Sequence, residues 1–206
     1  MGVSEIPVTI AVEASGLVLE GLWRPGTVAG GVIAPPHPEY GGSLDNPVVT
    51  ELAFALEAAG CASLRFNWHG VGASQGFVTG DWQAADADFA AALDQLEASL
   101  SGTLLGVGYS FGAATAMRCA LRDSRLSRLL LVAPPASMLR KLPLERFPGA
   151  LSVIVGDEDE FAPDAELSEL FGDLPNAELH VISGVDHFFG GSGLRDLAQL
   201  ARSALG

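Results

Sequence analysis

A chain of 206 residues that is 49% hydrophobic has enough apolar side chain for one compact domain with a substantial core. Its formal net charge of −14 excludes polyanionic partners, so neither nucleic acid nor an anionic membrane surface is expected to bind it. No apolar run is long enough to span a bilayer, and the segment from Met1 to Ile6 has neither signal-peptide character nor the Ser or Thr that N-myristoylation requires at position 6, so the expected location is cytoplasmic.

Residues 6–12 and 17–23 read as two strands joined by a turn at Ala14-Ser15-Gly16. Residues 28–34 form a short apolar run that stops at Pro35-Pro36, as a buried strand would. A Pro/Gly-rich loop follows, and Asn46-Pro47 starts a helix with a cap residue and then proline at the first helical position. Val48, Val49, Leu52 and Leu56 keep helical spacing until Gly60. Cys61 to Phe66 is the next strand, and a glycine-rich loop runs from Asn67 to Gly76. Trp82, Ala85, Phe89, Leu93 and Leu96 mark a long amphipathic helix. Strands are expected at 103–108, 127–133, 150–155 and 177–182, with helices at about 111–122, from Pro163 to Phe171, and from Leu194 to Ala204. After the opening hairpin the order is repeatedly strand then helix. That order implies one α/β domain over 1–206, with a mostly parallel sheet, an N-terminal antiparallel hairpin and helices on both faces.

In such sheets, sites form at the carboxyl ends of the strands. After the strand at 103–108 comes Gly108-Tyr109-Ser110-Phe111-Gly112, a G-x-S-x-G turn into an Ala-rich helix, the pattern of a nucleophile elbow. After the strand at 150–155 come four adjacent carboxylates, Asp157, Glu158, Asp159 and Glu160. After the last strand comes Asp186-His187. A serine hydroxyl becomes a nucleophile when a neutral imidazole takes its proton, and a buried carboxylate fixes the imidazole tautomer. Among the four histidines, His180 lies within a strand, and His37 and His69 precede the serine; His187 is the candidate base. Asp159 is the first candidate for the acid and Asp157 the second. An oxyanion would need two N–H donors. One is expected from Phe111. The other is expected from the loop after residue 34, where Pro38 has no N–H and Glu39 or Tyr40 are the candidates. The Glu39 carboxylate should then point away from the site. Cys61 and Cys119 lack metal-ligand or redox spacing and read as small core residues, so neither cofactor nor metal is expected.

Several stretches together resemble one family. They are Pro36 to Asn46, Leu64 to Gly76, Gly108 to Gly112, Val132 to Pro135, Gly156 to Asp159, and Asp186 to Phe189. In this order they resemble the small lid-less α/β hydrolases of bacteria, close to dienelactone-hydrolase-like and CocE-like serine esterases. The resemblance implies a Ser110-Asp159-His187 triad, with Asp159 as the acid of a G-x-x-D turn and His187 as the histidine of D-H-F-F. The family often has H-P-H-P where this chain has Pro35-Pro36-His37-Pro38, so its first histidine is missing here.

The connection from Pro134 to Gly149 is too short for a cap domain, which predicts an open site suited to small soluble esters in a monomer or homodimer. An acyltransferase or thioesterase on the same triad, and a binding module without catalysis, are the alternatives. A dinucleotide site is disfavoured, because the strand after Gly106-Val107-Gly108 ends in Val132-Ala133-Pro134-Pro135 with no acid to hold a ribose.

Overall fold

The computed structural model describes residues 4–206; Met1, Gly2 and Val3, part of the N-terminal reading above, lie outside the described residues. The strands are β1 (Ile6–Val12), β2 (Leu17–Arg24), β3 (Ala29–Ala34), β4 (Ala62–Phe66), β5 (Thr103–Tyr109), β6 (Leu126–Val132), β7 (Ala150–Gly156) and β8 (Ala177–Ile182). The helices are α1 (Pro47–Ala58), α2 (Trp82–Ala98), α3 (Phe111–Ala120), α4 (Ala136–Leu139), α5 (Asp164–Phe171) and α6 (Gly193–Leu205). One sheet runs in the order β1-β2-β4-β3-β5-β6-β7-β8. β2 is antiparallel to both β1 and β4, and all other neighbours are parallel.

The parallel centre is covered on both sides, as its apolar strands require. Gly30 and Gly31 on β3 show this directly, because adjacent strand residues point to opposite faces. A Cβ on Gly30 would meet Leu96 of α2 and Leu100 just beyond it, and one on Gly31 would meet Leu56 of α1. These glycines let both helices sit close to the sheet. All ten residues of α3 are buried, and its alanines allow the same close approach. The glycine-rich loop after β4 is held by its polar side chains. Asn67 accepts from the Leu44 N–H (2.8 Å) and donates to Glu20 (2.7 Å), while Ser74 bridges the Asn67 carbonyl and the Glu20 N–H. Arg65, also buried, ties Glu5 to the Leu44 carbonyl and Thr50.

Backbone meets backbone where β3, β5 and α3 converge. A Cβ on Gly108 would lie 2.5 Å from the Gly112 carbonyl, and one on Gly112 would lie 2.2 Å from the Ala34 oxygen and 2.5 Å from that of Pro35. Neither neighbour is a side chain that can swing away. Gly112→Ala is therefore expected to destabilise the fold by about 3 kcal/mol. A urea midpoint equal to that of the wild type would show that the end of β3 and α3 can separate freely.

The expected elements are present, with three differences. Val28 is exposed and precedes β3. The connection after β6 contains the one-turn α4, which the two prolines before it obscure. The loop after β3 contains a single 3-10 turn, Pro38–Tyr40.

Candidate active site

The three loops singled out above meet at the carboxyl edge of the sheet. Ser110 sits between β5 and α3 with φ 55° and ψ −119°, a left-handed conformation that non-glycine residues rarely adopt. Its N–H donates to the Val132 carbonyl (2.9 Å), and its own carbonyl accepts from Ala113 (3.0 Å). The turn is thereby pinned to β6 on one side and to α3 on the other. Ala133 after β6 and Phe189 after β8 are the other non-glycine residues with positive φ among the described residues, so backbone strain gathers on this edge.

Ser110 Oγ lies 2.9 Å from His187 Nε2, and His187 Nδ1 lies 2.7 Å from Asp159 Oδ2. All three residues are buried. The other Asp159 oxygen accepts from the N–H groups of Phe161 (2.9 Å) and Ala162 (2.8 Å), so the carboxylate is fully engaged and fixed in direction. With Nδ1–H donating to this carboxylate, the Nε2 lone pair faces the serine hydroxyl. The histidine loop is anchored from below: the Tyr109 hydroxyl donates to the His187 carbonyl (2.8 Å), and buried Phe189 packs edge-on against the Tyr109 ring. Burial, with the charges of Asp159 and Asp186 behind it, pushes the Tyr109 phenol well above its ordinary value and keeps it a neutral donor.

The other candidates lie elsewhere. Asp157 is exposed and accepts from the Ser183 hydroxyl (2.9 Å) and the Gly184 N–H (2.6 Å), which braces the turn after β8. Its carboxyl is held below the ordinary range, first by Ser183 and then by Gly184. Asp186 caps its own turn by accepting from the Phe188 N–H. His69 is buried against Asp88, with Nδ1 2.6 Å from Oδ2, and burial raises the Asp88 carboxyl. His180 stays on β8, 3.7 Å from Glu178. Cys61 and Cys119 are buried, and burial pushes the Cys119 thiol up to about 12.

In the loop after β3 the N–H groups are partnered differently from expectation. The Tyr40 N–H donates to the His37 carbonyl (3.1 Å), and the Glu39 N–H to His37 Nδ1 (3.3 Å). Both expected donors are thus consumed by the 3-10 turn. Gly41 and Gly42 likewise donate within the loop, to Pro38 and His37. The His37 N–H is left without an acceptor among the described residues, and the His37 ring packs 4.7 Å from that of Phe111. Sequence could have pointed to it only through the 3-10 turn that Pro38 opens. The Phe111 N–H opens α3, where no carbonyl one turn earlier is available to it. The Glu39 side chain is exposed and outside the cleft wall, as its charge requires.

These groups line a cleft of about 940 Å³, with Tyr40, Met138, Phe161 and Phe188 among its walls. Over it, the chain between β6 and β7 contributes only α4 and its flanks. Among the described residues no helix is long and apolar enough to cross a membrane, and no group of three or more His, Cys, Asp or Glu is placed to hold a metal ion.

Comparison with known proteins places this geometry. An uncharacterized protein of Rickettsia prowazekii is 34% identical over 166 residues, covering 75% of this chain and 69% of that protein. The structure of an α/β serine hydrolase homologue from Coxiella burnetii is 30% identical and superposes with a TM-score of 0.87, covering 100% of this chain and 99% of that one. A Xanthomonas campestris member of the α/β serine hydrolases without a lid is 25% identical, with a TM-score of 0.84 over 100% of this chain and 95% of that one. Residues 25–151, including β3, the elbow and all of α3, match the alpha/beta hydrolase family, and the chain belongs to that family as a lid-less hydrolase.

Proposed function

We propose that the protein is a serine carboxylic-ester hydrolase that works through an acyl-enzyme on Ser110. The observation that carries this reading is the unbroken hydrogen-bonded chain from Ser110 Oγ through His187 to Asp159, set on a strained elbow at an open cleft. As Ser110 Oγ bonds to the ester carbonyl carbon, its proton passes to His187 Nε2, and Asp159 stabilises the imidazolium. The carbonyl oxygen, now an oxyanion, is met by the Phe111 N–H and, in place of Glu39 or Tyr40, by the His37 N–H. Collapse of the tetrahedral species breaks the bond to the alcohol oxygen, which leaves with the proton from His187. Water then attacks the acyl-enzyme by the same route, releasing the carboxylic acid and restoring the Ser110 hydroxyl.

The missing cap supports small soluble esters over long lipid chains, which need an enclosed apolar tunnel. A fluorophosphonate probe is expected to label the wild type covalently and to leave Ser110→Ala unlabelled. Folded wild type that takes no label and turns over no p-nitrophenyl ester would sink the reading. Product analysis in water–methanol mixtures separates hydrolysis from acyl transfer: the free acid is expected to dominate.

A further inference from the structure

The two sides of the cleft differ in charge. From Phe147 to Leu194 the sequence has ten Asp and Glu and no Lys or Arg, against 25 acidic and 11 basic residues in the whole chain. This stretch supplies Asp159 and His187, and also Glu160, Phe161, Glu166 and Phe188 of the cleft wall. Glu166 is paired with Arg140 (2.6 Å), whereas Glu160 takes part in no ion pair among the described residues. Among the described residues, no Lys or Arg lines the cleft.

Aromatic faces accompany the carboxylate. Phe161 is 58% exposed and Phe188 70% exposed, and their rings lie 4.9 and 5.6 Å from the His187 ring. Tyr40, 87% exposed, stands on the His37 side. An exposed aromatic ring costs solvation unless a ligand covers it, and its π-face attracts cations within about 6 Å. The chemistry also gives this wall a direction. His187 must hand its proton to the departing oxygen, so the alcohol portion of an ester lies on the His187 side of the scissile bond, and the oxyanion lies toward Phe111 and His37.

We propose that the cleft selects esters whose alcohol portion carries a quaternary or protonated ammonium group, held between the Phe161 and Phe188 rings beside the Glu160 carboxylate. This rests on the serine-hydrolase reading for its orientation. The net charge of −14 acts in the same sense at longer range, drawing cationic substrates in and turning anionic ones away.

Three acetate esters of similar size test it: acetylcholine, its neutral isostere 3,3-dimethylbutyl acetate, and anionic 2-acetoxyethanesulfonate. At low ionic strength kcat/KM is expected to be about tenfold higher for the cationic ester than for the neutral one, and lowest for the anionic one. The cationic preference should shrink in 0.5 M salt and in Glu160→Gln, and Phe161→Leu should reduce it further. Equal kcat/KM for the cationic and neutral esters, or a preference untouched by Glu160→Gln and Phe161→Leu together, overturns the proposal while leaving a serine hydrolase in place. Binding of choline and of 3,3-dimethylbutanol to Ser110→Ala, followed by calorimetry, reads the same selectivity without turnover. Tighter binding of choline supports the cation site even if no ester is cleaved, and equal or weaker binding overturns it.

Discussion

Ser110→Ala and His187→Ala are each expected to lower kcat for ester hydrolysis by about 10⁴- to 10⁶-fold, and the double variant should lose no more than the worse single one. The reason is the shared proton. Ser110 Oγ and His187 Nε2 are 2.9 Å apart and act as one unit, so removing either leaves the other with nothing to do. Ser110→Ala deletes one oxygen and one hydrogen bond, and alanine can occupy the φ of 55° at a strain similar to that of serine. Its stability should therefore lie within about 1 kcal/mol of the wild type. His187→Ala empties the space beside Tyr109, Phe161 and Phe188, but Asp159 keeps its two N–H donors, so the variant should still fold. Circular dichroism and kcat, measured together, check both statements.

Asp159→Asn should lower kcat by about 10³- to 10⁴-fold, whereas Asp157→Asn should stay within about tenfold of the wild type. In Asp159→Asn the side-chain carbonyl suits the two N–H groups of Phe161 and Ala162, which turns the amide NH₂ toward His187. Two donors then face each other unless the imidazole moves its proton to Nε2, and that removes the lone pair Ser110 needs. Asp157 accepts from Ser183 and Gly184 on the turn after β8, so its loss loosens that turn and touches no reacting atom. Its signature should instead be in stability against pH. A carboxyl held below its ordinary value contributes stability above the unfolded value, about pH 4, and loses it as pH falls through the folded one. The stability gap between wild type and Asp157→Asn should therefore be constant near neutrality and close only below about pH 4. Asp157→Asn proving inactive while Asp159→Asn keeps its rate would reverse the two assignments.

The preference for alcohols bearing an ammonium group belongs to the same wall as Asp159 and His187. One acidic stretch both completes the hydrogen-bonded chain and, through Glu160, Phe161 and Phe188, shapes the space beyond it. A carboxylate-rich segment therefore need not be only solvated surface. Part of it here is turned inward to orient an imidazole, and part faces the cleft.

Local patterns were sufficient for the order of the strands and the longer helices, for the absence of a cap between β6 and β7, and for the elbow at Ser110. Those features depend on hydrophobic period, on proline and glycine placement and on chain length, all written in consecutive residues. Sequence ranked Asp159 ahead of Asp157, two residues apart on one turn, but only the tertiary structure gives each its partners. The distinction depends on which carboxylate faces a loop 28 positions away, at His187, and which faces Ser183. The tertiary structure also showed that the Glu39 and Tyr40 N–H groups donate within their own turn while that of His37 does not, because a backbone N–H is free or spent according to the turn around it. Sequence spacing records which groups are present, but hydrogen-bond partnership is decided by the packing that brings distant loops within 3 Å.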